Sequence, residues 1–124
     1  MSFTNLKTEN FRHTVGTEGI VVVLYWGPNC GACRTMETAW QTVGARYPEH
    51  VFARVNVIDE EDLATFFEIE HTPTLMLYRD GLLLLKKAAS YTEEELAGIV
   101  AQAESLDMDL VRADLAEKSA EGDD

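Results

Sequence analysis

The sequence predicts a single α/β domain: a central mixed sheet of about four to five strands flanked by helices, with one extra helix at the C-terminus. Three observations carry this. Short β-branched and aromatic runs alternate with stretches of helical period, the pattern of helices packed on a sheet. The chain has 124 residues, one domain's length, and can bury a working core without a disulfide to staple it. An Asp80-Gly81 pair after the third apolar run marks a hairpin rather than another crossover.

Thr8 to Val15 is a short helical candidate closed by Gly16 and Gly19. Ile20 to Trp26 (IVVVLYW) is apolar without interruption, as in a strand buried on both faces. From Cys33 to Tyr47, Met36, Ala39, Trp40, Val43 and Tyr47 recur every three or four residues, and Pro48 ends that helix. Val51 to Val57 reads as the next strand, parallel to the first through a right-handed crossover. Glu60 to Ile69 is a short acidic helix expected to point Leu63, Phe66 and Phe67 inward. Thr74 to Tyr78 and Leu82 to Lys87 form the hairpin strands. Thr92 and Glu95 make a capping box that opens a helix running to about Glu104. Residues 1–105 are thus one domain. Residues 106–118 are an additional amphipathic helix, expected to pack over the apolar Leu82-Leu-Leu-Leu85 strand or an adjacent face, or else to make a dimer or partner contact. The small acidic residues 119–124 are expected to be a disordered tail.

The formal net charge of −12 argues against nucleic acid and anionic membranes as partners, since both recruit clustered Lys and Arg. The N-terminus carries no apolar secretory core, and the Ile20 to Trp26 run is far too short to span a bilayer. The expectation is a monomer in a reducing cytoplasm. There, a close cysteine pair is more often catalytic or metal-binding than structural.

Cys30 and Cys33 are the only cysteines, and Cys30 opens the long early helix. A helix N-terminus offers unpaired N–H groups and the positive end of the dipole, which stabilise a thiolate. The i, i+3 spacing brings the two sulfurs within disulfide reach. A zinc site needs two more ligands, and His13, His50 and His71 form no H-x₃₋₅-H pair. A structural i, i+3 disulfide closes too small a loop to stabilise much through the unfolded state. Redox chemistry is the favoured reading, with no bound cofactor or metal. The other two stay open.

The strand ending in Trp26, the C-x-x-C opening a helix, Thr72-Pro73-Thr74 before a strand, and the β-α-β-α-β-β-α order together resemble the thioredoxin family over about Thr4 to Glu104. The resemblance implies a thioredoxin fold and a thiol–disulfide oxidoreductase of protein disulfides. Cys30 would be the nucleophile and Cys33 the resolving cysteine. An external dithiol reductase, such as thioredoxin reductase, would regenerate the pair. It further implies a cis Thr72-Pro73 bond, a backbone contact from Thr72 to the client, and a client groove that includes Trp26, Asn29, Gly31, Ala32 and Ala89. Arg54 falls where the family often has a buried Lys.

The chain departs from the family's usual W-C-G-P-C-K. Asn29 stands where a Trp usually precedes the first cysteine, and Gly31-Ala32 replaces Gly-Pro. Ala32 restores an N–H near the thiolate, which is expected to make the couple somewhat less reducing. Leu24 occupies the position of the family's buried Asp, which manages the proton of the second cysteine. Either another group such as Glu37 or His71 helps, or deprotonation of Cys33 is slower, and Leu24→Asp is expected to raise activity while lowering stability. The alternative function is a thioredoxin-fold binding module or assembly chaperone with relaxed catalysis.

Overall fold

A computed structural model describes residues 3–122 of the chain. The elements run β1 (Phe3–Asn5), α1 (Thr8–Val15), β2 (Ile20–Trp26), α2 (Gly31–Arg46), β3 (Val51–Asn56), α3 (Glu61–Phe66), β4 (Thr74–Arg79), β5 (Leu82–Ala88), α4 (Glu93–Ser105) and α5 (Met108–Gly122). They build a five-stranded sheet in the order β1-β3-β2-β4-β5. β3 is parallel to both β1 and β2, while β4 and β5 run antiparallel to their neighbours. The central strand therefore has one parallel and one antiparallel neighbour. Its unbroken apolarity signals cover on both faces, whatever the direction of the strands beside it.

The period of two along β2 divides the core. Ile20, Val22 and Leu24 pack on one face with Met36, Trp40 and Val43 of α2 and Leu96 and Val100 of α4. Val21, Val23 and Tyr25 pack on the other with Leu6, Phe11 and Val15 from the α1 side and with Leu63 of α3. α2 ends at Tyr47 because Pro48 cannot continue it. α4 opens on the complete Thr92/Glu95 capping box. Its C-terminal carbonyls are gathered by Arg79, whose Nη1 donates to Ala103 O at 2.5 Å, Glu104 O at 3.2 Å and Leu106 O at 2.8 Å. The hairpin turn places Asp80 at φ 53° and Gly81 at φ 83°, as a two-residue type I′ loop requires. A register shift follows between Leu77 and Tyr78, leaving Leu84 as the extra residue on β5.

Four features differ from the sequence expectation. β1 was not foreseen: three residues are too short to show a period, and β1 joins by backbone bonding along the free edge of β3, ending in Leu6 N–H to Arg54 O at 2.8 Å. Phe66 does not point inward and is 76% exposed. Phe66 and Phe67 sit about 100° apart around a helix that ends between them, so only Phe67 turns toward Phe11. α5 does not lie over β5. Met108 is its one buried residue among those whose side chains are described, and Leu110 and Leu115 are exposed, because apolar and polar residues are spread around this helix without a stripe. Leu84 and Leu85 pack instead against the core on the α4 side. Finally, α5 continues to Gly122, so residues 119–122 of the expected tail are helical: Ala120 and Glu121 are good helix formers and extend the preceding turns. Residues 123 and 124 lie outside the described residues. No helix among the described residues is long and apolar enough to cross a membrane.

Candidate active site

Cys30 is the N-cap of α2, and Cys33 sits one turn in at the third helical position. Their Cα atoms are 5.2 Å apart and their sulfurs are joined in a disulfide. Cys33 is buried at 5% exposure, while Cys30 is only half-buried and faces the surface. The asymmetry fits an outer sulfur open to a client and an inner one shielded from solvent.

The polar surroundings of Cys30 are backbone. The Cys33 N–H donates to Cys30 Sγ at 3.1 Å, the bond a helix N-cap makes to its third residue. This corrects one expectation about Ala32. The donor that reaches the sulfur belongs to Cys33, and a proline at position 32 would leave it in place. What Ala32 changes is the stiffness of the first turn. On the other side, Cys30 Sγ lies 3.4 Å from Thr72 O. The Thr72-Pro73 bond is cis and Pro73 is buried. Ala88 pairs with Thr74, which puts Ala89 next to the Pro73 end of the sheet. Asn29, Gly31 and Ala32 are exposed around the disulfide, and a side chain at Gly31 would meet nothing within 4 Å.

Behind the disulfide lies a cavity of about 290 Å³ lined by Leu24, Trp26, Cys33, Arg34, Glu37 and Arg54, with Gly27 and Pro28 at its rim. Leu24 is 2% exposed and apolar, so no ionisable group stands on the β2 side of Cys33. Arg54 pairs in register with Leu24 from β3. Its Nη1 donates to Glu37 Oε1 at 2.7 Å, and its guanidinium lies 5.6 Å from the centroid of the Trp26 ring. Trp26 is thus both a wall of the cavity and a platform for a cation. His71 is exposed; its backbone carbonyl accepts from Thr74 Oγ1 at 2.5 Å, which ties the loop before Pro73 to β4.

The structure brings together half-buried Cys30 and Thr72 with buried Cys33 and Pro73, and places Leu24, Trp26 and Arg54 around the cavity behind them. The ion pair between Glu37 and Arg54 and the presence of Arg34 in the same cavity were not anticipated. The available signal was the spacing of four between Cys33 and Glu37, which sets them on one helix face. Glu49, His50 and Glu104 also bring ligand atoms within 4.8 Å of one another, at the far end of α2 from the disulfide.

The Thioredoxin family model matches residues 2–103. The chain is 32% identical over 120 residues to "Putative thioredoxin 2" of Streptomyces coelicolor, covering 97% of this chain and 90% of that one. It is 34% identical over 100 residues to protein disulfide-isomerase A4 of Bos taurus, covering 77% of this chain but only 15% of that longer protein. In fold it is similar to human ERp44, with a TM-score of 0.76 at 23% identity over 85% of this chain and 30% of that one. A chain from a study of yeast mitochondrial 1-Cys peroxiredoxin thiol resolution via glutathione/thioredoxin systems gives a TM-score of 0.75 at 24% identity, over 82% of this chain and 95% of that one.

Proposed function

The chain belongs to the thioredoxin family, and from that premise we propose that it works as a disulfide reductase in which Cys30 attacks and Cys33 resolves. It is a thiol–disulfide oxidoreductase acting on protein disulfides. The observation that carries the proposed division of labour is the burial difference within one helical turn: Cys30 at the surface and Cys33 covered.

A reduced Cys30 sulfur sits at the positive end of α2 with the Cys33 N–H aimed at it, which favours the thiolate. The thiolate attacks a client disulfide and forms a mixed disulfide at the surface. Thr72 and Pro73 flank that position, and the client's extended chain lies along them, beside Trp26, Asn29, Gly31, Ala32 and Ala89. Cys33 then attacks Cys30 Sγ, the ring closes, and the client leaves reduced. An external dithiol reductase such as thioredoxin reductase returns the electrons, with no bound cofactor. The net charge of −12 favours neutral or basic clients over acidic ones. The protein acts as a cytoplasmic monomer in the cell's electron transport to disulfides and so contributes to redox homeostasis.

Insulin reduction driven by dithiothreitol tests the reading. Wild type accelerates precipitation of the insulin B chain, and Cys30→Ser does not. Equal rates for the two proteins would replace the reductase by a binding module that retains the fold.

A further inference from the structure

Resolution of the mixed disulfide needs Cys33 to lose its proton, and Cys33 is 5% exposed, so water reaches it poorly. Leu24 offers no base on the β2 side. Resting on the oxidoreductase reading, we propose that Glu37, held in place by Arg54, accepts the Cys33 proton in the step that releases the client.

The charged groups lining the cavity that contains Cys33 are Arg34, Glu37 and Arg54, and of these only Glu37 is a base. Cys33 and Glu37 are four apart on α2, on the same face, with Cβ atoms about 5–6 Å apart. Glu37 is not a side chain swinging in solvent. Arg54 donates to its Oε1 at 2.7 Å, and the guanidinium is itself seated over Trp26. That leaves Oε2 for the proton. Glu37 is 44% exposed, so it can pass the proton on to bulk water. Leu24 fills the buried position with hydrocarbon, and Glu37 lines the same cavity as Cys33 from the helix side.

The step balances as follows. In the mixed disulfide, the Cys33 S–H gives its proton to the Glu37 carboxylate. The Cys33 thiolate attacks Cys30 Sγ. A Cys30–Cys33 S–S bond forms and the Cys30–client S–S bond breaks, its electron pair leaving on the client sulfur. The client thiolate takes a proton from solvent, and Glu37 releases one to solvent. Two electrons have passed from the Cys30/Cys33 dithiol to the client. Arg54 is a positioning residue: it holds Glu37 and lends positive charge to the cavity.

The test uses Glu37→Gln and Glu37→Asp in the full chain. In stopped-flow single turnovers with a fluorogenic disulfide peptide, attack by Cys30 keeps its rate in Glu37→Gln. Release of the peptide slows about tenfold or more at pH 7. The deficit shrinks as pH rises past about 8.5, where a thiol ionises unaided. Glu37→Asp restores part of the rate. A second readout needs no turnover. In the Cys30→Ser background, thiolate absorbance follows Cys33 alone. Removing a negative charge about 6 Å away shifts its midpoint to lower pH by about 0.5–1. Slower release together with easier ionisation is a combination that a packing defect does not produce. Unchanged release, equal slowing of both phases at every pH, or an unmoved Cys33 midpoint would each overturn the proposal. If wild type itself forms no mixed disulfide, the oxidoreductase reading fails, and the Cys33 midpoint still decides whether Glu37 acts on that thiol.

Discussion

Replacing Leu24 by Asp tests how the inner cysteine is surrounded. Leu24 is 2% exposed and belongs to the core shared with α2 and α4. The substitution removes about 2–3 kcal/mol of apolar burial. It also places a carboxyl where the β2 backbone donors are committed to β3 and β4. A neutral carboxyl without partners adds about 1–3 kcal/mol of cost, for a total of about 3–6 kcal/mol. Against a domain stability of about 5–15 kcal/mol, that is a large loss, equivalent to about 10–25 °C in Tm. The sign of its pH dependence follows from burial. Burial raises the new carboxyl's pKa in the folded state above its unfolded value of about 3.9. The folded state then holds the proton longer, and the penalty grows as pH rises from 4 toward 7. Urea unfolding of wild type and Leu24→Asp at pH 4.5 and 7 measures both quantities. Insulin reduction on the same samples rises, but by less than tenfold, because Glu37 already lines that cavity. A penalty under about 1 kcal/mol would refute the burial account. So would a penalty that falls with pH, since it would mean Arg54 had left Glu37 to pair with the new carboxylate.

The remaining predictions concern the scaffold. Thr92→Ala removes the side-chain half of the α4 capping box, in which Thr92 Oγ1 accepts from the Glu95 N–H, leaves the Thr92 N–H donating to Glu95 Oε1, and costs about 1 kcal/mol by urea unfolding. In wild type, the Thr92 backbone and side-chain hydrogen bonds hold the Glu95 carboxyl below its ordinary range, so its contribution is present at neutral pH and lost as pH falls through its folded value. An NMR titration of Glu95 should show it moving only part of the way back up in Thr92→Ala, because the Thr92 backbone N–H, the larger cause of the depression, remains. Arg79→Met frees three carbonyls at the end of α4 and lowers stability by about 2–3 kcal/mol, read as a fall in Tm. Truncation after Asp107 removes α5 and costs about 2 kcal/mol or less, because Met108 is its one buried residue among those described, and light scattering should give a monomer's mass with or without it. A shift in mass on truncation would assign α5 to self-association instead.

The sequence made legible what local chemistry decides. The β2 run, the α2 face from Cys33 to Val43, the Asp80-Gly81 turn and the Thr92 cap each carry their signal within a few residues. What it hid depends on the rest of the fold. β1 exists because β3 has a free edge, and nothing in Phe-Thr-Asn announces that. Phe66 faces outward because α3 stops at that residue, which its apolar character disguises. The site divides the same way. The cysteine spacing is local, but the meeting of Glu37 with Arg54 joins residues 17 apart across the helix–sheet interface. Leu24 was visible as a departure, whereas the way α2 surrounds Cys33 was not.

The placement of the two tryptophans has a practical consequence. Trp26 borders the same cavity as Cys33, while Trp40 lies two turns further along α2, fully buried against Phe52. A disulfide accepts an electron from an excited indole and quenches its emission, and a pair of thiols does so far less. Reduction should therefore brighten Trp26 and leave Trp40 as a steady background. The oxidised fraction of the protein can then be followed by its own emission, without a label and without touching the cysteines.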